Sequence, residues 1–215
     1  MSVPGSGAPL TRVQVAARVA ADIAPGSFVN LGIGLPTAVA DHLPGDQGIV
    51  LHTENGMLNM GPSPAAGAED PDLINAGKQP VTELAGASYF DSAQSFAMMR
   101  GGHLDVCVLG AFQVSVDGDL ANWHTGSPDA IPAVGGAMDL AIGAKQVFVV
   151  MSLLTRDGTP KLVRECGYPL TGRGCVDRVY TELAVFDLRG GRAVVRETHG
   201  TTVEELERSL GLPLR

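Results

Sequence analysis

The segment Gln146-Val147-Phe148-Val149-Val150-Met151 is apolar almost throughout, with no polar residue at alternate positions. A strand with one face in water must alternate, so this run predicts a strand covered on both faces, at the centre of a largely parallel sheet with helical crossovers. The rest of the chain supplies such crossovers. Thr11 stands where a helix cap belongs, Val15, Val19 and Ile23 recur every four residues along one face, and Pro25-Gly26 closes the helix. Phe28 to Leu31 reads as a short buried strand running into Gly32-Ile33-Gly34-Leu35-Pro36, with a helix over 37–43 behind it. After Pro44-Gly45, the segment from Gly48 to His52 reads as a second strand and carries Glu54-Asn55-Gly56 at its carboxyl end, where open α/β sheets place their chemistry.

A glycine- and proline-rich stretch extends to about Gly86, followed by an expected helix from Tyr89 to Met99 and a strand from Leu104 to Leu109. Phe112 to Val116 and Leu120 to Trp123 flank Asp117-Gly118-Asp119 and predict a hairpin, and Gly135-Gly136-Ala137 opens another helix. Asp157-Gly158 and Gly190-Gly191 mark later hairpins. Thr202 with Glu205 forms a capping box ahead of a last helix whose Val203, Leu206 and Leu210 share a face. The pattern predicts an α/β fold with an open, mixed and mostly parallel sheet flanked by helices. One domain over 11–215 is expected, preceded by a flexible N-terminus over 1–10.

Composition narrows the function. The 215 residues carry 15 basic against 23 acidic side chains, a net charge of -8 that repels phosphate backbones and anionic lipid, so no nucleic-acid or membrane partner is expected. No apolar run approaches a bilayer span and no leader pattern opens the chain. Cys107, Cys166 and Cys175 form no CxxC pair and have no histidines at metal-ligand spacing. They read as core thiols in a cytoplasmic protein without a metal site. His52, His103, His124 and His199 are scattered and read as hydrogen-bonded structural residues.

Three features invite chemistry. Gly32-x-Gly34 between a strand and a helix, with Glu54 some way downstream, suggests dinucleotide binding, but Thr37 stands where the third glycine belongs and Pro36 stiffens the turn. Glu54 lies between a buried strand and a glycine turn, where a partly desolvated carboxylate can serve as nucleophile or base, although a lone acid at a strand end ordinarily caps a loop. Gly135-Gly136-Ala137 can offer backbone N–H groups to an oxyanion or can be a plain turn. The residues alone lead to a glycine-rich ligand cleft around Glu54, with enzyme and binding module both open.

The blocks Asn30 to Thr37, Glu54-Asn55-Gly56-Met57-Leu58, Asp72 to Lys78, Gly101-Gly102-His103, Gly118 to Trp123, Gly135 to Leu140 and Pro169-Leu170-Thr171-Gly172 together resemble the B-subunit signature of class I 3-oxoacid CoA-transferases, over most of the chain from about Thr11 to Leu188. The resemblance implies that Glu54 is a nucleophile passing through a glutamyl-CoA thioester, with coenzyme A entering as a thioester substrate and no separate cofactor. It implies that Asn30, Gly32 and Gly34 shape the pocket behind Glu54, that Asn55 and Gly56 fix its turn, and that Gly135, Gly136 and Ala137 lie against the thioester. It implies a heteromer with an A subunit, because no A half is present. His52-Thr53, Trp123 to Gly126 and Pro128 to Val134 resemble the branch that moves CoA from succinyl-CoA to 3-oxoadipate, with acetoacetate as the runner-up acceptor and His124 as a candidate for the distal carboxylate. Asn59 replaces a glycine usual in the family and is expected in a left-handed conformation.

Overall fold

A computed structural model of the chain describes residues 7–126 and 134–215. The stretch 128–133 that resembles the 3-oxoadipate branch lies outside the described residues, as do residues 1–6 of the expected flexible N-terminus. The chain order begins with helix α1 (Arg12–Ala20), strand β1 (Phe28–Leu31), a 3-10 helix (Leu35–His42), β2 (Val50–Thr53), β3 (Met57–Met60) and β4 (Glu83–Tyr89). It continues through α2 (Ser92–Arg100), β5 (Val106–Gly110), β6 (Gln113–Ser115), β7 (Leu120–Ala121), α3 (Ala137–Gly143), β8 (Gln146–Val150) and β9 (Leu162–Val163). It ends with β10 (Arg178–Tyr180), β11 (Ala184–Leu188), β12 (Ala193–Thr198) and α4 (Val203–Leu210).

Nine strands form one sheet in the order β12-β11-β10-β8-β5-β1-β2-β3-β4. The strands from β10 to β2 are mutually parallel, whereas β11 and β12 at one end and β3 and β4 at the other add antiparallel. Strand β8 lies between β5 and β10, and its residues divide as its composition demands. Val147 and Val149 join the core on one face, and Phe148 and Val150 join the core on the other. The second face is covered by α1 through Val15, Ala16 and Val19, all buried. Both helix caps expected from sequence are present: Gln14 N–H donates to Thr11 Oγ1 over 3.3 Å, and Glu205 N–H donates to Thr202 Oγ1 over 3.3 Å.

The structure corrects four local expectations. Helix α1 stops at Ala20, and Ile23 is buried in the turn beyond it rather than on the helix. The segment after Gly34 is a 3-10 helix, not an α-helix. The region before Gly86 contains β3 and the start of β4, so Tyr89 ends a strand, and α2 begins only at Ser92, where the Asp91 side chain accepts from Gln94 N–H over 2.8 Å. Strand β4 escaped notice because nearly all of it is exposed and its small residues show no alternation. Finally, the hairpin of β6 and β7 belongs to a separate three-stranded sheet completed by β9. As expected, Asn59 is left-handed, with φ of 64°, and its side-chain amide donates to Ala85 O over 2.9 Å, bridging the irregular β3–β4 pairing.

An ion network fastens α1 and the turn after it to the antiparallel end of the sheet. Arg178 donates from Nη1 to Asp22 over 2.7 Å and from Nε to Asp187 over 2.6 Å, Arg18 pairs with Asp22 over 2.7 Å and with Glu197, and Tyr180 O–H donates to Asp22 over 2.7 Å. Burial alone would raise the Asp22 and Asp187 carboxyls, yet hydrogen bonds from Arg18 and Tyr180 to the first, and from Arg178 and Arg196 to the second, hold both below the ordinary range. A depressed carboxyl pKa contributes stability above the unfolded-state value that is lost on acidification through the folded-state value. Arg178→Met therefore removes the shared partner of two largely buried carboxylates, leaving Asp22 to Arg18 and Tyr180 and Asp187 to Arg196. We expect a cost of about 2–4 kcal/mol at neutral pH, read as a Tm lower by roughly 5–10 °C, with the deficit shrinking toward acid. An unchanged melting temperature at neutral pH would contradict this reading of the network.

Candidate active site

From β1 the chain passes on one side to β2 and later returns to the other side for β5 and β8. That makes β1 a topological switch point, where crossovers diverge and leave a crevice beyond the strand ends. A cavity of about 850 Å³ occupies this place. Its walls include Asn30 and Leu31 of β1 with Gly32 just beyond, Glu54 after β2, Leu109 and Gly110 from β5, and Val150 of β8 with Met151 just beyond. Gly135, Gly136 and Ala137 close it at the start of α3.

Glu54 is held by a tight turn. Gly56 N–H donates to Thr53 O over 3.1 Å and Met57 N–H donates to Thr53 Oγ1 over 3.0 Å. The turn needs glycine at 56, where φ is 118° and a Cβ would fall 2.0 Å from Phe90 O. Asn55 is not part of the cavity wall, and its side-chain amide donates to Ile74 O over 2.9 Å. Below the turn, His52 is buried, stacks on Phe90 with ring centroids 5.9 Å apart, and accepts at Nδ1 from Asn30 Nδ2 over 3.0 Å. The Asn30 amide also donates to His52 O over 3.1 Å, which fixes its nitrogen toward the histidine. Nε2 therefore carries the proton and faces Ser95 Oγ at 3.1 Å. Burial lowers the imidazole pKa to about 4, so His52 is a neutral polar pillar under the turn.

The Glu54 carboxylate is half-buried, and no hydrogen bond or ion pair reaches it among the described residues. Desolvation raises its pKa above the ordinary glutamate value. Gly136 lies directly against it: a Cβ there would sit 2.4 Å from Glu54 Oε2 and 3.3 Å from Phe96. The Ala137 N–H donates to Val134 O over 3.2 Å, whereas no hydrogen bond engages the N–H groups of Gly135 and Gly136 among the described residues.

The cavity thus brings together Asn30, Gly32, Glu54, Gly135, Gly136 and Ala137, while Gly34, Asn55 and Gly56 stand behind it as turn residues. Gly32 N–H donates to Val108 O over 2.8 Å and a Cβ there would be 3.1 Å from that same oxygen, so this glycine permits close strand packing. A 3-10 helix after Gly34 removes the α-helix N-terminus that dinucleotide binding requires. Burial raises all three thiols, Cys166 and Cys175 to about 11, which leaves them protonated and unreactive. His124 is not part of the cavity wall, and its Nδ1 accepts from Gly126 N–H over 2.9 Å. Sequence reasoning missed Arg12, Lys161 and Glu182 in the wall, because only tertiary folding brings these distant residues to Glu54. Among the described residues no cluster of histidine, cysteine or acidic groups could hold a metal ion, and no helix is long and apolar enough to cross a membrane.

Comparison with known proteins identifies the family. The Coenzyme A transferase family model matches residues 12–206. The chain is 60% identical over 206 residues to the B subunit of 3-oxoadipate CoA-transferase from Acinetobacter baylyi, covering 95% of each chain. It is 62% identical to the protein of the same description in Pseudomonas putida, covering 95% of this chain and 96% of the relative. Among solved structures, the acyl-CoA transferase YdiF apoenzyme of Escherichia coli O157:H7 superposes with a TM-score of 0.72 at 22% identity, over 95% of this chain and 42% of that one, and shares the fold. The chain belongs to the coenzyme A transferase family.

Proposed function

We propose that this chain is the B subunit of a transferase that moves CoA from succinyl-CoA to 3-oxoadipate, with Glu54 as the nucleophile and an A subunit completing the enzyme. The observation that carries the reading is a half-buried carboxylate with no neutralising partner among the described residues, set against a glycine in the switch-point cavity. The acceptor and the A subunit are inferred from the two relatives described as B subunits of 3-oxoadipate CoA-transferase.

In the proposed cycle Glu54 attacks the succinyl-CoA thioester carbonyl and expels CoA thiolate, leaving a mixed succinyl-glutamyl anhydride. The thiolate then attacks the glutamyl carbonyl and releases succinate, so CoA is held as a thioester on Glu54. The 3-oxoadipate carboxylate attacks that thioester and expels the thiolate. The thiolate finally attacks the new acyl group and restores the free carboxylate. Each step exchanges carboxylate and thiolate at a carbonyl, so the acyl-transfer potential is kept provided water is excluded. Partial burial serves this chemistry twice, because it strips water from the nucleophile and protects the intermediates. The N–H groups of Gly135 and Gly136, which make no hydrogen bond among the described residues, are the donors at hand for the developing oxyanion. Coenzyme A enters as substrate, and the cycle calls for no metal or separate cofactor.

Five outcomes test this reading. Glu54→Gln in the complex with the A subunit should lower CoA transfer from succinyl-CoA to 3-oxoadipate by at least roughly 1,000-fold, and retained transfer would reject the assignment. The same variant should melt higher than wild type at neutral pH. The sign follows from the raised folded-state pKa: ionised Glu54 costs stability above that pKa, and the cost disappears as pH falls toward the unfolded-state value. For the same reason the acid limb of kcat/KM should lie above the ordinary glutamate range, and activity rising on acidification would contradict it. Gly136→Ala should leave Tm nearly unchanged, because its methyl meets the mobile end of Glu54, yet lower kcat by about 100-fold through displacement of the nucleophile. Gly56→Ala meets a backbone carbonyl at a positive φ and should instead lower Tm.

A further inference from the structure

The cavity wall holds four charged side chains: Arg12, Glu54, Lys161 and Glu182. Three are accounted for. Glu54 is the proposed nucleophile, Arg12 is exposed in the first turn of α1, and the Glu182 carboxylate accepts from Leu153 N–H over 3.1 and 3.3 Å. Lys161 is different. Its backbone is fixed, with N–H donating to Leu153 O over 3.0 Å and C=O accepting from Val114 N–H over 2.9 Å, immediately before β9. Its side chain is half-buried, and no hydrogen bond or ion pair satisfies the ammonium among the described residues.

We infer that Lys161 is the cationic seat for the distal carboxylate of a dicarboxylic acyl group whose thioester carbonyl is presented to Glu54. The inference rests on the proposed CoA transfer through Glu54 and adds the group that selects the acyl chain. A half-buried ammonium that makes no hydrogen bond or ion pair among the described residues keeps a desolvation cost that the nearby charge of Glu182 only partly offsets, and an anion entering the cavity lowers it. Burial lowers the Lys161 pKa, a shift that the charge of Glu182 opposes, which is the mark of that cost. The same cavity wall includes Leu109, Phe112, Val150 and Met151, which suit a short aliphatic chain. A dicarboxylic acyl group has this order of parts: a reacting carbonyl, a run of carbons and a terminal carboxylate. The place of Lys161 just before a strand makes it a rigid anchor. An anion at Lys161 could also be a phosphate of coenzyme A, and the two sources separate by experiment.

The test compares two thioesters in the complex of this chain with its A subunit: succinyl-CoA, with a distal carboxylate, and acetoacetyl-CoA, without one. Lys161→Met should lower kcat/KM for succinyl-CoA by about 30–100-fold, mostly through KM, while changing the acetoacetyl-CoA value less than threefold. Lys161→Arg should restore most of the loss. An equal fall for both thioesters would assign Lys161 to coenzyme A or to general structure and overturn the inference, and so would no fall for either. A wild-type complex unable to transfer CoA from any thioester would instead reject the proposed function, and this seat with it. Should the variants fail to assemble, acetylation of Lys161 in the wild-type complex by acetic anhydride, followed by peptide mass mapping, decides the matter. Succinate should protect Lys161 and butyrate should not, whereas equal protection by both, or by neither, would overturn the assignment.

Discussion

A carboxylate held partly out of water, with no neutralising partner among the described residues, is the constraint on which this molecule is organised. Left in solvent, Glu54 would be a weak nucleophile surrounded by competing water; buried beside a cation, it would be neutralised. The sheet solves this by ending β2 at Thr53 and turning at once through Gly56, with the turn supported from below by the neutral His52 and its hydrogen bonds to Asn30 and Ser95. Small residues then allow other elements to close in. Gly136 permits the start of α3 to touch the carboxylate, and Gly32 permits β1 to run close beside Val108 and Leu109 of β5. The folding cost of desolvating Glu54 is met elsewhere, by two cores on opposite faces of the sheet and by the Asp22–Arg178–Asp187 network.

This division explains why strand geometry and chemistry coincide. Five parallel strands from β2 to β10 point their carboxyl ends the same way, so residues just past those ends share one rim. Divergence of the crossovers at β1 opens the rim into a cavity. The antiparallel ends of the sheet extend it without contributing to that cavity, and α1 is fastened to one of them through charged groups that the proposed chemistry does not use.

Much of the interior could be read from residues acting locally. The unbroken apolar run from Gln146 marks β8 because two cores need its alternate side chains, and Thr11 and Thr202 mark helix starts because each finds its capping partner three residues away. Glu54 was legible as a strand-end acid before a glycine turn, and family resemblance supplied its proposed role. Strand β4 was not legible, because its residues are exposed and its pairing with β3 is set by a bulge at Asn59. Lys161 was invisible for another reason: nothing near it in sequence signals chemistry, and only the packing of β9 against β6 carries it to a cavity whose proposed nucleophile lies on another sheet. The candidate His124 shows the converse, a residue suggested by sequence neighbourhood that folding places outside the cavity wall.

The central claim is that Glu54 carries the group being transferred. The most direct measurement is peptide mass mapping of the complex with its A subunit after incubation with succinyl-CoA and chemical trapping of the covalent intermediate. The account predicts a mass change on the peptide containing Glu54, absent when Glu54→Gln is treated in the same way. An assembled complex that binds succinyl-CoA yet carries no adduct on that peptide would contradict it and would leave the cavity as a binding site without covalent chemistry.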